Sequence, residues 1–536
     1  IFEWFGYAGT TAGMILGESA YYLSIGLFLL FLAGFIVWLV CLSRYFHRRS
    51  LTISASFPFW KRGVVVLVGA CLIGLCIFGI RGRTGYNPIK VSAAYFCQDA
   101  FLNQLGVSPT FNLLTSVMDD MRPENKYLHL MDEQEAITKA QALLNRQGEV
   151  AVSPLAVYRH ASKADSVQQG RPNVVLIMME SMSSKLMKHF GQSETLTPFL
   201  DSLYTRSISF RNFYSAGIHT NHGLYATLYS FPAMMKRNLM KGSVIPRYSG
   251  LPTVLKENGY YNLFFMTHEG QYDNMNAFFR TNGYDEVFSQ ENYPADKVVN
   301  SFGVQDDFLY DYAIPVLNQR AATGEPFFAT LLSISNHPPY VIPPFFHPKT
   351  SEPETQIVEY ADWALRKFFE EARKQPWFDN TIFVLEGDHG KLVGDAECEL
   401  PESYNHIPLM IYSSRIHPEE KNTFGGQVDI QPTILGLLNI DYLQNNFGVD
   451  LLKEERPCMF YTADNMIVGR NDTLLYLFNY ETQQEFTYHI DNGKLKAVPM
   501  DDRFLPLKEY SFSMLQSAEF LVKHGKTVNS VPFIQQ

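Results

Sequence analysis

Four apolar runs in this chain end in residues that can bind a metal or move a proton. Residues 173–179 end at Glu180. Residues 260–266 run into His268 and Glu269, 327–334 into Asn336 and His337, and 381–385 into Asp388 and His389. Ligands of open α/β sheets bind beyond the carboxyl ends of the strands, so four such ends predict one polar edge. Carboxylate and imidazole donors gathered there suit a divalent cation, with Glu180, Asp388 and His389 as three of its ligands. Singly, each has a plainer use: Glu180 could cap a helix and Asp388 could hold the turn before Gly390. Their coincidence on successive strand ends favours the metal.

A nucleophile is offered by residues 216–223 (AGIHTNHG), a polar loop leading into a predicted helix over 224–229. Thr220 falls at the helix start, where unpaired amides and the dipole favour an anion. A metal beside its oxygen would lower the hydroxyl pKa and turn it into a nucleophile. Taken alone, the residue types favour the plainer role of an N-cap.

These residues need a scaffold that brings distant segments to one edge. Continuous apolar runs at 173–179, 327–334, 381–385 and 407–412 read as strands buried on both faces, with a further strand at 260–266. Helices are predicted over 197–204, 252–258, 356–374 and 432–438, the last opened by Asp429. The alternation predicts an α/β fold with a mostly parallel sheet flanked by helices. From Met459 onward, short alternating strands, among them 473–479 and 485–490, predict a small antiparallel sheet. Ahead of the α/β part, residues 84–165 read as a connector, with a turn at Gly85–Pro88 and amphipathic helices over 93–105 and 110–121. The helix over 132–145 reads as solvent-facing, and 165–172 as a linker. The expected division is 1–83 transmembrane, 84–165 helical linker, 166–455 catalytic domain, and 456–536 antiparallel subdomain and tail.

The first ninety residues read as membrane. Ser19 to Ser43 is uncharged, as is Gly63 to Ile80, and a bilayer core needs about 20 residues. Arg44, Arg48, Arg49, Lys61 and Arg62 lie between the runs with no acid, which makes that loop cytoplasmic by the positive-inside rule and sends the rest of the chain outward. The opening residue is Ile, so the chain is expected to begin partway into a longer protein. Across all 536 residues, 44 Lys+Arg against 54 Asp+Glu give a net charge of −10, and there is no dense basic stripe suited to nucleic acid beyond one short segment near the start. Six scattered cysteines exclude a disulfide scaffold. Of the three outside the apolar runs, Cys398 and Cys458 are the pair expected to bridge if any does.

The ordered set formed by residues 173–181, the Thr220 loop, Ser335-Asn336-His337-Pro338, Gly387-Asp388-His389-Gly390 and residues 425–433 (GGQVDIQPT) resembles the lipoteichoic acid synthase family. These are membrane-anchored enzymes of the alkaline phosphatase and sulfatase superfamily. The resemblance implies that Glu180, Thr220, Asp388 and His389 bind one divalent cation, manganese foremost, with magnesium or zinc as alternatives. It implies that Thr220 attacks the phosphorus of a phospholipid donor, releasing diacylglycerol and leaving a phospho-threonine. A glycan or glycerol-phosphate acceptor then takes the head group, expected to be phosphoglycerol. His337 matches the family histidine beside the phosphate. His268, Asn274, His337 and His406 are the expected substrate-binding residues. The implied setting is a bacterial cytoplasmic membrane, multi-pass, with the catalytic domain on the extracytoplasmic side.

Two departures keep alternatives open. The family's Trp-Asn-Arg group corresponds here to Asp273-Asn274-Met275, which lacks the Trp and Arg. His406, before a strand, resembles a histidine of phosphoethanolamine transferases. A phosphoethanolamine transferase, a phosphodiesterase or phosphatase using water, and a membrane sensor without catalysis are the other readings. The Thr220 loop lacks the Cys/Ser-x-Pro-x-Arg pattern of true sulfatases, which argues against sulfate ester hydrolysis.

Overall fold

The computed structural model describes residues 22–53, 58–84, 88–97, 99–122, 126–144, 157–159, 171–242, 245–491 and 493–528. The segment 1–18, the turn at 85–87 and nearly all of the linker 165–172 lie outside the described residues. The chain forms two compact units, Ile1–Ile89 and Lys90–Gln536. Among the described residues the first holds the helices Tyr22–Ile53 and Phe59–Arg81. Within them, Gly26–Arg48 and Phe59–Arg81 are long and apolar enough to cross a membrane. Most of their described apolar side chains are exposed, as a lipid-facing surface requires.

The second unit is built on an eight-stranded sheet. Among the described residues its strands in chain order are β1 (Val157–Arg159), β2 (Asn173–Met179), β3 (Ile208–Tyr214), β4 (Tyr261–Met266), β5 (Glu286–Phe288), β6 (Phe327–Leu332), β7 (Thr381–Gly387), β8 (Leu409–Tyr412), β9 (Glu419–Gly426), β10 (Tyr442–Gln444), β11 (Met459–Ala463), β12 (Met466–Arg470), β13 (Leu474–Asn479), β14 (Gln484–Asp491) and β15 (Lys494–Ala497). The large sheet runs β5-β4-β6-β2-β7-β8-β3-β9, and β11 to β15 form a five-stranded meander. Every neighbour in the large sheet is parallel except at β8, which is antiparallel to both β7 and β3. The carboxyl ends of seven strands and the amino end of β8 therefore share one edge, as the alternation of elements predicts.

β2 shows why the sheet forms. Val174, Leu176 and Met178 enter one core with Leu224, Leu228 and Phe278, while Val175, Ile177 and Met179 enter another with Leu200, Leu365 and Phe369. Each fully buried aliphatic side chain contributes about 1.5–3 kcal/mol, so neither face can be turned to solvent.

Four expectations are corrected. The helix Glu133–Leu144 is not solvent-facing: Ala136, Ile137, Ala140 and Leu144 are buried, and Glu133 pairs with Lys523 of a C-terminal helix at 2.9 Å. That helix, Leu505–Lys523, stands where a tail was expected. The predicted 93–105 helix is instead a short turn, Val91–Ala94, and a helix, Ala100–Leu105. Cys398 and Cys458 are free thiols, Cys398 donating to the Leu400 carbonyl at 3.0 Å.

Candidate active site

Four of the predicted residues meet at the shared sheet edge. Ligand atoms of Glu180, Asp388 and His389 lie within 4.8 Å of one another, and the Thr220 hydroxyl donates to Glu180 Oε2 at 3.4 Å. The adjacency of β2 and β7 explains the first three. Met179 pairs with Gly387 across the ladder, so Glu180 and Asp388 leave the sheet side by side.

Each donor is held by its surroundings. Asp388 Oδ1 accepts the backbone amides of Ser181 (2.8 Å) and His389 (2.7 Å), while its buried Oδ2 has no hydrogen-bond partner among the described residues. Glu180 Oε1 accepts the Ser181 hydroxyl at 2.7 Å. Ser181 sits at φ 51°, a left-handed conformation that costs a non-glycine residue on the order of 1–3 kcal/mol and turns its amide toward Asp388. His389 Nδ1 donates to the Gly390 carbonyl at 2.7 Å, which leaves the Nε2 lone pair facing Glu180 and Asp388 at 3.8 and 3.6 Å. A hydrogen bond at one ring nitrogen commonly fixes the other as a metal ligand.

The electrostatics ask for a cation. Burial, reinforced by the Asp388 carboxylate, pushes the Glu180 carboxyl well above its ordinary range. Among the described residues neither acid has a lysine or arginine at ion-pair distance. Two buried acids, one oxygen unpartnered and one imidazole nitrogen turned inward match the oxygen and nitrogen donor set of Mn, Mg or Zn. The residues fit a divalent cation.

Thr220 opens the helix Thr220–Tyr229, and His219 rather than Thr220 is the N-cap. The threonine hydroxyl is thereby free to face Glu180. Gly223 sets how deep the helix sits, since a Cβ there would lie 2.4 Å from the Asp388 carbonyl oxygen. Thr227, a turn later, donates to the buried Glu386 of β7 at 2.5 Å.

The remaining candidates divide. His337 follows Asn336, whose amide donates to the carbonyls of Glu180 (3.1 Å) and Ser181 (3.2 Å). The His337 Nδ1 donates to the Pro338 carbonyl and its ring packs on Phe302 at 4.0 Å. His268 is buried beyond β4 against Tyr272, and burial lowers its pKa. Asn274 gives its amide to the Met240 carbonyl at 2.8 Å and so braces a turn. His406 packs between Phe190 and Tyr214 and places Nε2 on the Arg211 carbonyl at 2.7 Å. None of these four is among the residues whose donor atoms converge, and His337 alone follows a residue bonded to the Glu180 backbone.

The sequence reading passed over several residues. Gln427 joins the Thr220 loop to the Asp388 loop: its Oε1 accepts the Ala216 amide (2.8 Å) and its Nε2 donates to the carbonyls of Asp388 (2.8 Å) and Gly387 (3.1 Å). Lys391 steadies Asn336 at 2.7 Å. Asp273, in left-handed backbone at φ 46°, accepts from Asn221 beside Thr220 (3.2 Å) and pairs with Lys241 (2.8 Å). Gln427 lies inside the motif 425–433, which was the only signal.

Comparison with known proteins agrees with this geometry. A family model described as Sulfatase matches residues 172–440, half of the chain. The chain belongs to the sulfatase family. Within that family it is similar to lipoteichoic acid synthase 1 of Bacillus subtilis (strain 168), 25% identical over 354 residues covering 61% of this chain and 54% of the relative. The lipoteichoic acid synthase of Staphylococcus aureus (strain NCTC 8325) is 24% identical over 327 residues, 53% of this chain and 48% of the relative. The chain spans about half the length of these curated relatives. Among solved structures, an alkaline phosphatase superfamily protein from Vibrio parahaemolyticus superposes with TM-score 0.67 at 24% identity, covering 76% of this chain and all of that one. The lipoteichoic acid synthase LtaP from Listeria monocytogenes gives 0.59 at 20%, covering 72% and 98%. The sheet described above is thus the alkaline phosphatase and sulfatase fold, and the resemblance to lipoteichoic acid synthases is supported.

Proposed function

We propose that this sulfatase-family protein is a metal-dependent transferase that moves a phospho-head group, phosphoglycerol foremost, from a phospholipid to an extracytoplasmic glycan or polymer acceptor. The convergence of Glu180, Thr220, Asp388 and His389, with Asp388 Oδ2 left unpartnered, carries the reading. These four residues would hold the cation, manganese foremost. A divalent cation bound there supplies positive charge that lowers the pKa of a neighbouring hydroxyl and neutralises phosphoryl oxygens.

The chain's own groups do the rest. The Thr220 hydroxyl gives up its proton as its oxygen forms a bond to phosphorus, the bond to the diacylglycerol oxygen breaks, and that oxygen takes up a proton as diacylglycerol leaves. The acceptor hydroxyl then attacks the phospho-threonine, gives up its proton, and restores Thr220. His337, whose Nδ1 is held by the Pro338 carbonyl, is the group we assign to proton transfer, through Nε2. The amino end of the Thr220 helix favours the charge on the transferring group. The two apolar helices anchor the chain in a bacterial cytoplasmic membrane, with the second unit on the extracytoplasmic side. In that plan residues 1–83 anchor, 84–165 connect, 166–455 carry the chemistry and 456–536 support it.

Intact-protein mass spectrometry after incubation with phosphatidylglycerol or phosphatidylethanolamine vesicles tests this. The expected result is an adduct on Thr220 with the mass of phosphoglycerol, discharged by a glycan acceptor. A phosphoethanolamine adduct would replace the donor assignment, and discharge by water alone would replace the transferase by a hydrolase. Thr220→Ala is expected to form no adduct and to lose turnover by roughly 1000-fold or more with its fold intact. Full turnover in that variant would remove the nucleophile.

A further inference from the structure

The meander packs beside Tyr214 and Phe424 of the large sheet and also reaches the Thr220 loop. The two-residue turn between β11 and β12 places Asp464 in left-handed backbone at φ 44°. There its Oδ1 accepts from His219 Nε2 at 2.9 Å. The next hairpin supports this tip, since the Tyr480 amide donates to the Asn465 carbonyl at 2.8 Å. His219 is the N-cap of the Thr220 helix, yet its side chain makes no capping bond and is turned to the hairpin. Its carbonyl accepts the amides of His222 (2.9 Å) and Gly223 (3.2 Å), so the position of His219 sets the first turn, on which Thr220 sits.

The same hairpin grips the loop at its other end. The Thr462 amide donates to the Ala216 carbonyl at 2.9 Å, and the Thr462 hydroxyl to the Ala233 carbonyl at 3.2 Å. Gln427 takes the Ala216 amide. The interior of the loop is filled by the buried ring of His222, whose Nδ1 would lie 2.3 Å from a Cβ on Gly217. A loop fixed at 216 and 219 and filled between has little freedom left at 220.

We propose that Asp464, acting through His219, is a positioning residue that sets the direction of the Thr220 hydroxyl, so that the meander supplies part of the catalytic geometry. The inference rests on the reading of Thr220 as nucleophile. A misplacement of about 1 Å can cost about 100-fold in rate, which is the scale available to such a device.

The test uses the full chain in detergent with a fluorescent phosphatidylglycerol as probe. Asp464→Ala and His219→Ala are each expected to lower kcat about 10- to 100-fold with KM and Mn2+ affinity within about twofold. Asp464→Asn, whose amide oxygen still accepts from Nε2–H, is expected to restore most of kcat. The double variant is expected to be no worse than either single, as for residues acting through one contact. Hydrogen exchange supplies a readout independent of turnover: Asp464→Ala should speed exchange at residues 216–222 and leave 180–182 and 387–389 unchanged. Unchanged kcat in Asp464→Ala, additive losses, or no rescue by Asn would overturn the proposal while Thr220→Ala remains inactive. Full turnover in Thr220→Ala would instead overturn the nucleophile and the positioning role together.

Discussion

Two sets of buried acids beside the same sheet are treated in opposite ways. Asp429, just past β9, has both oxygens filled by the chain: it accepts the amides of Gly426 (2.9 Å) and Val449 (2.8 Å) and the buried guanidinium of Arg456. Arg456 in turn donates to Tyr510 at 2.6 Å. Glu180 and Asp388, just past β2 and β7, accept the Ser181 hydroxyl and the Ser181 and His389 amides and face Thr220 and one imidazole, with no lysine or arginine at ion-pair distance among the described residues. The first pair brings its own cation and is structural. The second lacks one among the described residues, and burial holds Glu180 toward its neutral form. Two adjacent buried carboxylates with no cation at ion-pair distance among the described residues repel one another, and an exchangeable divalent cation of the proposed kind would relieve that repulsion.

The comparison can be broken at either end. Arg456→Met leaves Asp429 buried and unpaired, and is expected to destabilise the second unit by about 3–5 kcal/mol while leaving Mn2+ affinity within about twofold. Urea melts and calorimetry would show it, and a stability unchanged from the parent would deny the pair its structural role. Glu180→Gln is expected to do the reverse. Its Mn2+ affinity should fall about 100-fold or more, the range in which even outer partners of a metal act, and its metal-free stability should stay level or rise. Loss of metal-free stability would mean that Glu180 is structural after all.

Smaller effects sharpen the same contrast. Gly223→Ala would push a methyl group against the Asp388 carbonyl. Overpacking of that kind costs about 1–3 kcal/mol, and turnover should fall with it; a fully active, fully stable variant would show that the helix can retreat. A fourth acid gives a pH signature. Burial opposes charge on Glu402, but Arg470 and His406 outweigh it and hold the carboxyl at about 2, below its ordinary 4.5. A depressed carboxyl contributes stability that is present above pH 4.5 and is lost as pH falls toward 2. Arg470→Met should flatten that loss when melts at pH 5 and pH 2.5 are compared, and an unchanged slope would reassign it to other acids.

What the sequence disclosed follows a physical division. Glu180, Asp388 and His389 were legible because each follows an unbroken apolar run, and the sheet edge is implied by the strands. Thr220 was legible as a helix start, though not as the residue after the cap. Gln427, Asp464 and Lys391 were not, because each acts through a contact with a segment tens to hundreds of residues away. β3 and β9 escaped because their alternation is interrupted by polar residues, with β9 exposed over much of its first half. The helix Asp306–Ala321 carries Pro315 inside it, which reads as a break. The C-terminal helix holds Ser511, Ser513 and Ser517, all buried, where propensity alone argues weakly for a helix. His406 and Asn274 show the converse: residue types suited to a site, used here to hold backbone.

The central claim is a single cation shared by four residues. Anomalous diffraction from crystals grown with Mn2+ tests it most directly. The account predicts one strong peak about 2.2 Å from oxygens of Glu180, Thr220 and Asp388 and from His389 Nε2. A Mn2+ peak at some other cluster, or none at this edge at saturating metal, would contradict it.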